Sequence, residues 1–410
     1  MLKKLIFSKT SKQTLILFIA QIFSMVVGFV SNMLLAKEMG VETFGIYSFA
    51  SAVISFLAIF FEFGYFASAS RLLAINHDKS KEKEYLGASV VIASVIAFSF
   101  FIMIFIVSFV VDSLFKDKIE DIIRIASIVS WSFILPFFME LILKGSNHIE
   151  SMAWFNIAWK VLFVISLFIL YYVELLTPLN VLIWFSITGI VGAVFFIFKL
   201  KPSFDNLKLN ISRIHEENKV YGLHIYTGRV IDVSTYQLDR LLIAFFIGAK
   251  DVGLYSLANS MANPINSFSA ALASSKFKDL ANNPFIPTLI LKINFLWISV
   301  AVVGANTLGY LIIYHYLGAE YHDVFLLLVL MSLAVGSQAA YQPYNAWLSG
   351  HGYGEELKRM SYFMAFFNFF GNITLIPFFG AVGATIASIM GTLAYLLVSL
   401  KYYKRFKNEK

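Results

Sequence analysis

The sequence contains no cysteine, so disulfide bonds, thiol nucleophiles and cysteine-ligated metals are excluded. Charged residues are also scarce: they make up 14% of the chain, whereas soluble domains carry roughly 25%. No Walker A sequence is present, which excludes ATP hydrolysis by a P-loop. The seven His are scattered without ligand spacing, so we expect neither a metal site nor any other cofactor.

The sequence is rich in long hydrophobic segments. It is 59% hydrophobic, with 43 Phe and a mean hydropathy of +0.76. A helix that crosses a bilayer needs roughly 20 apolar residues, because hydrocarbon offers its backbone no partners outside its own segment. The runs show no strand-like alternation. We therefore predict an all-α polytopic membrane protein, not an enzyme, with about twelve transmembrane helices. These are placed near 14–36, 44–70, 86–111, 122–143, 153–173, 176–198, 220–248, 252–274, 286–314, 323–349, 360–378 and 380–400.

The placement of Lys and Arg predicts the orientation of these helices. With both termini in the cytoplasm, the inside segments hold most of the basic residues. The outside loops hold only Lys37, Lys116, Lys118 and Lys250. The net charge of +7 is then a topology signal and a contact with anionic lipid headgroups, so a nucleic-acid partner is not expected.

One phrase occurs twice: "GVETFGIYSFA" from Gly40 returns as "GAKDVGLYSLA" from Gly248. Each copy falls on the short outer turn between the first and second helix of a six-helix set. The repeat predicts two six-helix lobes, 1–198 and 220–410, joined by a basic cytoplasmic linker, 199–219. Because six is even, a pseudo-twofold axis along the membrane normal would relate the lobes, as in many secondary transporters.

The predicted helix seven carries the most ionisable residues. Its segment "YTGRVIDVSTYQLDRLL" places Arg229, Asp232, Tyr236, Asp239 and Arg240 within a wedge of roughly 100°. Intramembrane charges usually face a cavity or the bundle interior, so this face is a candidate substrate surface. An alternative stays open, in which Arg229 and Asp232 merely neutralise each other.

Other predicted helices also carry polar residues, and each of these has a functional and a structural interpretation. Amide stripes at helical spacing either line a passage or join helices by hydrogen bonds. They comprise Asn259, Asn263 and Asn266 on helix eight, and Gln338, Gln342 and Asn345 on helix ten. Lys160 and Lys292 either face a cavity or extend to the cytoplasmic headgroups. Glu62 and Asp239 are placed where a carrier could bind a proton or sodium ion.

Three segments carry a family resemblance. "LLAKEMGVETFGIYSFASAVISFLAIFFEFGYFASASR", "YQLDRLLIAFFIGAKDVGLYSLA" and "IPFFGAVGATIAS" resemble, in this order, stretches of the multidrug/oligosaccharidyl-lipid/polysaccharide (MOP) flippase superfamily. Within the superfamily, the segments resemble the polysaccharide-exporter branch, and in character they are similar to the Wzx-type O-antigen or repeat-unit flippases.

This resemblance implies a multi-pass protein of the bacterial inner membrane that moves an oligosaccharide on undecaprenyl pyrophosphate to the outer leaflet. A polymerase and a chain-length regulator of the same pathway would be its partners. Arg suits a pyrophosphate because its planar fork donates two hydrogen bonds. The expected substrate-binding residues are Arg229, Arg240, Lys160, Lys292, Tyr226, Tyr236, Asn263, Asn266, Gln338 and Gln342. The expected ion-coupling residues are Asp239, Glu62 and Asp232.

Two other functions remain open at this point. An ion-coupled drug or metabolite antiporter of the same superfamily would share the fold and Asp239, but its cationic passenger would need an acid-rich cavity. An integral-membrane polysaccharide polymerase would usually need a sizeable outside loop, and the predicted outside loops are short. Major-facilitator carriers also have twelve helices, but their basic loop after helix two is not visible in "SASRLLAINHDKSKEKEYLG".

Overall fold

A computed structural model describes residues 9–76 and 78–408, and within these every regular element is a helix. The predicted all-α polytopic fold is confirmed. The first half of the chain contains eight α-helices. They are α1 (Lys9–Met39), α2 (Val41–Ile59), α3 (Tyr65–Ile75), α4 (Lys79–Leu114), α5 (Glu120–Ser130), α6 (Leu135–Gly145), α7 (Ile149–Tyr172) and α8 (Pro178–Leu200).

The second half begins with a short amphipathic helix and continues with long ones. Its helices are α9 (Leu207–Glu217), α10 (Leu223–Phe246), α11 (Ala249–Ala262), α12 (Pro264–Ser275), α13 (Phe277–Asn282), α14 (Thr288–Ile312), α15 (Asp323–Gly350) and α16 (Gly354–Asn408). A π-helical turn, Asn218–Gly222, leads from α9 into α10.

Nine of the described helical stretches are long and apolar enough to cross a membrane. One of them, α16, contains both of the last two predicted segments. Gly380, at φ 58° and ψ −139°, breaks it at the first residue of the predicted range 380–400, in a conformation that glycine adopts at little cost. Predicted helices seven and eight fall outside the nine because α10 carries several charges and because Asn263 and Pro264 divide helix eight into α11 and α12.

The chain forms two compact units, each made of two stretches of sequence. The first unit is Met1–Ser31 with Ala50–Gln237, and the second is Asn32–Phe49 with Leu238–Lys410. This division differs from sequence order, since it cuts α1, α2 and α10. The lobes 1–198 and 220–410 and the linker 199–219 stay a prediction from the sequence repeat.

In the first unit, the linker helix α9 is anchored on the ends of α3 and α4. The Asn210 amide donates to the Glu84 carboxylate at 2.9 Å. The Tyr65 hydroxyl and the His215 Nδ1 are 2.8 Å apart, with their rings stacked. Contacts of this kind, made by both ends of α9, fix the linker to the first unit.

In the second unit, the two copies of the repeated phrase meet. Gly40 (φ 76°) and Gly248 (φ 142°) make the equivalent turns that precede α2 and α11. A Cβ placed on Gly253 would lie 2.8 Å from the Gly45 Cα, and one on Gly45 would overlap the Ala249 carbonyl. The second glycine of each copy is therefore required for α2 and α11 to approach each other this closely.

Candidate functional site

The second membrane segment is broken between α2 and α3. Phe63 and Gly64 both have positive φ, at 49° and 79°, and Glu62 lies in the break with only 4% of its surface exposed. The break frees the Phe60 carbonyl, which accepts a hydrogen bond from the Tyr226 hydroxyl at 2.8 Å. Irregular backbone inside a membrane is tolerated where protein groups satisfy it, so Tyr226 has a structural contact at a position predicted to bind sugar.

Arg229 pairs with Glu62 across this break. One guanidinium nitrogen lies 3.1 Å from the Glu62 carboxylate, and the group lies over the Phe137 ring at 4.7 Å from its centroid. The sequence offered Asp232 as the neutralising partner of Arg229. In the structure Glu62, in the break between α2 and α3, is an ion-pair partner of Arg229, and the side chains of Asp232 and Tyr236 lie outside the described residues.

This ion pair leads to a first prediction. Glu62→Gln leaves the Arg229 cation without its partner, and we expect thermal unfolding to show a loss of ~2 kcal/mol, below the ~3–5 typical of a buried pair because Arg229 is a quarter exposed. The double change with Arg229→Gln should recover most of that loss. Glu355→Gln, which breaks the exposed pair with Arg359, should leave unfolding unchanged. A double variant no more stable than Glu62→Gln would contradict the coupling.

A cavity of about 450 Å³ lies inside the first unit, within the size range of small-molecule sites. Lys160 and Asn156 reach it from one face of α7, four residues apart. No carboxylate is among its lining residues in the described part of the chain. The polar lining residues are Gln21, Ser24, Ser51, Ser55, Asn156, Lys160 and Gln237, and the aromatic ones are Phe133, Phe137, Trp159 and Phe185.

Lys160 is the cation of this cavity. Its ammonium lies 5.7 Å from the Trp159 ring centroid and 5.5 Å from that of Phe185, and it has no ion-pair partner among the residues that the structure describes. The contacts with the two aromatic rings offset only part of the free-energy cost of removing the ammonium from water. The Gln237 Oε1 and the Ser24 Oγ are also buried without hydrogen-bond partners in the described chain. The ammonium can bind an anion, and the Gln237 and Ser24 oxygens can accept hydrogen bonds from a ligand.

A second polar centre surrounds Asp239 in the second unit. Its side chain is 3% exposed and accepts hydrogen bonds from the Tyr255 hydroxyl (2.6 Å), the Asn372 amide (2.6 Å) and the Ser388 hydroxyl (3.0 Å). All three donors are neutral. The described residues include no Lys or Arg within ion-pair distance of Asp239. A buried carboxylate held in this way can exchange a proton or a small cation without breaking an ion pair.

Sequence reasoning missed the partners of Asp239. Tyr255 belongs to the repeated phrase, and Ser388 is the last residue of the third quoted family segment, but neither is among the site residues that the sequence predicts. The helical spacing of Asn368 and Asn372, which places them on one face of α16 and lets Asn372 donate to Asn368 at 3.0 Å, was a usable signal. The adjacent Arg240 is half-buried, and its Nε has no hydrogen-bond partner in the described chain.

The remaining predicted residues lie elsewhere in the second unit. Gln342 on α15 donates to Asn266 on α12 at 3.0 Å, which is an interhelical hydrogen bond of the kind the alternative interpretation expected. Asn263 is exposed between α11 and α12, and Gln338 is partly buried on α15. Lys292 is exposed on α14, a helix with much of its apolar surface uncovered. Their roles in substrate binding stay predictions.

The helical membrane fold, the polar cavity and the buried carboxylate define a membrane carrier. The profile of the polysaccharide biosynthesis protein family matches residues 10–277, and the chain belongs to this family. It is a member of the MOP flippase superfamily and thus a multi-pass membrane flippase or transporter. No curated protein sequence matches the chain.

Solved structures share the fold along nearly all of the chain. The lipid II flippase MurJ in an inward closed conformation is 17% identical, with a TM-score of 0.72 over 96% of this chain and 90% of that one. An inward-facing multidrug resistance MATE transporter is 14% identical, with a TM-score of 0.66 over 94% and 95%. The MATE transporter VcmN of Vibrio cholerae is 15% identical, with a TM-score of 0.64 over 97% of both chains.

Proposed function

We propose that the protein flips an oligosaccharide linked to undecaprenyl pyrophosphate from the cytoplasmic to the outer leaflet of the bacterial inner membrane. One observation carries the proposal: the cavity of the first unit contains the Lys160 ammonium and lacks a carboxylate among its described lining residues. Such a cavity suits a passenger with an anionic head group. The family to which the chain belongs supports a polysaccharide precursor as that passenger.

The cavity offers a matching group for each part of this passenger. The Lys160 ammonium provides three donors for pyrophosphate oxygens in a low-dielectric site, where charge-assisted hydrogen bonds are strong. Amides and hydroxyls such as Asn156, Gln237 and Ser24 can hydrogen-bond sugar hydroxyls. Aromatic walls give the apolar faces of sugar rings a packing surface. The prenyl tail needs no tunnel, since it can stay in the lipid.

Arg229 has a secondary role in this proposal. Its guanidinium already pairs with Glu62, but it contacts Phe137, which also lines the cavity. A pyrophosphate entering the cavity would compete with Glu62 for Arg229. We therefore assign the main electrostatic contact to Lys160 and a position at the cavity wall to the Arg229–Glu62 pair.

The cavity argues against the drug-antiporter alternative. A cationic passenger would place its charge near the Lys160 ammonium, and repulsion between like charges in a low-dielectric site costs free energy. An acidic group in the lining would be needed to offset it. The lining residues that the structure describes provide none.

A deletion strain tests the proposed function. Undecaprenyl-linked oligosaccharides extracted from it should accumulate on the cytoplasmic side while the surface glycan is lost, and the unaltered gene should restore both. The leaflet that holds the lipid-linked sugar is measured by its accessibility to a lectin in sealed vesicles of known orientation. Loss of surface glycan without accumulation of the lipid-linked unit would refute the flippase proposal.

Ion coupling through Asp239 is part of the proposed cycle and gives a second prediction. Asp239→Asn keeps the size of the side chain but removes the charge that a proton or sodium ion would neutralise. We expect flipping to lose its dependence on pH or on sodium, measured in vesicles with an imposed gradient. Tyr255→Phe, which removes one donor and keeps the carboxylate, should retain the dependence. An unchanged gradient dependence in Asp239→Asn, at normal protein level, would make Asp239 a structural residue.

A further inference from the structure

We propose that the outward-facing groove between α7 and α8 binds an anionic phospholipid of the inner leaflet, with one acyl chain in the groove and the phosphate at Lys199. The groove belongs to the first unit, has a volume of about 530 Å³ and is separate from the polar cavity. The proposal does not depend on the proposed function.

Two apolar stripes form the walls of this groove. On α7, Trp154, Ala158 and Leu162 follow one another at four-residue spacing and therefore lie on one face. On α8, Val191 and Phe195 form the opposing stripe at the same spacing. Trp154, Val191 and Phe195 are each more than half exposed, so the groove opens away from the protein interior, toward lipid.

A glycine opens the groove. Gly192 is one of its lining residues, and within the described chain a Cβ placed there would meet only the Phe155 ring, at 3.5 Å. A larger side chain at this position would fill part of the space between α7 and α8. Gly192 and Phe196 are both buried and form the floor of the groove, and its volume of about 530 Å³ leaves room for part of a hydrocarbon chain.

Charge is confined to one end of the groove. Among the lining residues that the structure describes, Lys199 alone is charged, and it continues the α8 stripe one turn beyond Phe195. Its ammonium lies 5.7 Å from the Phe196 ring centroid. Trp154, 59% exposed, lies on the opposite wall near the start of α7, which is the same end of the helix pair. A lysine and an indole at the membrane surface are typical contacts of a lipid headgroup, and a single cation favours an anionic one.

The length of the groove favours a phospholipid over a polyprenyl tail. From Val191 to Lys199 the helix rises about 12 Å at ~1.5 Å per residue, close to the ~15 Å thickness of one hydrocarbon leaflet. A phospholipid chain ends at the bilayer midplane, as the groove does. A polyprenyl tail is far longer than one leaflet and would leave most of its length outside. The Lys/Arg distribution predicts that the Lys199 end lies at the cytoplasmic surface.

Native mass spectrometry of the purified full chain tests this assignment, with phosphatidylglycerol and phosphatidylethanolamine added in equal amounts. We expect one retained phosphatidylglycerol, a loss of it in Ala158→Phe, which fills the groove, and affinity about fivefold weaker in Lys199→Gln. Val95→Phe, at an exposed position on α4, and Lys208→Gln, at an exposed position on α9, are matched controls and should bind like the unaltered chain.

Several results would overturn the proposal. One such result is that the unaltered chain retains the two phospholipids equally. Another is that Ala158→Phe and Lys199→Gln bind phosphatidylglycerol as strongly as their control variants do. Displacement of phosphatidylglycerol by undecaprenyl phosphate would assign the groove to the carrier tail. A dimer that dissociates in Ala158→Phe would assign it to a second copy of the chain. Lys199→Gln changes an exposed side chain, so its result stands even if Ala158→Phe fails to fold.

Discussion

Lys160→Met is expected to abolish export and to leave the purified protein at least as resistant to heat as the unaltered chain. Losing the charge removes hydrogen bonds to the pyrophosphate worth ~1.5–3 kcal/mol, which is about a 12- to 150-fold loss of affinity. Removing a half-buried cation that lacks an ion-pair partner in the described chain also removes a desolvation cost from the folded protein. Surface glycan measures export, and thermal unfolding in detergent measures stability.

A second lysine supplies the control for this change. Lys292→Met alters the same residue type in a membrane helix, but Lys292 is exposed on α14, and it is not among the described lining residues of the cavity. Because it lies outside the cavity, we expect Lys292→Met to lower export less than Lys160→Met does, and an equal loss would instead support the substrate role predicted for Lys292. Lys160→Arg should retain part of the export because it keeps the charge while changing its shape. Normal export by Lys160→Met, or a loss of export matched by a loss of folded protein, would remove Lys160 from the substrate site.

The helices could be predicted from the sequence because each depends on local information. Long apolar runs without strand-like alternation favour a membrane-spanning helix over a closed barrel. The division of α16 at Gly380 was predictable because the glycine lies between two apolar runs. The repeat also has a local signal, since equal glycine spacing in the two copies places a positive-φ glycine before each of the helices α2 and α11. Gly45 and Gly253 then pack together because neither has a side chain to prevent it.

Pairing between helices could not be predicted in the same way. Helical spacing shows which residues share a face, but it does not show which helix that face contacts. Spacing along one helix suggests Asp232 as a partner of Arg229, and it gives no sign of Glu62, which tertiary packing brings within ion-pair distance from a distant segment. Asp239 likewise depends on Asn372 and Ser388, both more than a hundred residues later in the chain. Only tertiary packing brings such groups together.

The close approach of α2 and α11 gives the other large expected effect. If the protein works by alternating access and the predicted outer side opens by separating α2 from α11, Gly45 and Gly253 would lose their contact on opening. Gly253→Leu would force the two backbones apart, and overpacking of this kind costs ~1–3 kcal/mol. That cost falls on the closed conformation alone, so the population should shift toward the outward-open conformation by about 5- to 150-fold.

The cysteine-free chain allows this shift to be measured with one introduced thiol. Ser256→Cys places a nearly isosteric thiol at a buried position one turn after Gly253 on α11. In the outer-closed conformation a membrane-impermeant maleimide should label it slowly, and Gly253→Leu should raise the labelling rate and lower export together. Gly304→Leu is the matched control, because a Cβ at Gly304 meets no atom of the described chain within 4 Å. Equal labelling rates in Gly253→Leu and Gly304→Leu would show that the glycine contact does not hold the outer side closed.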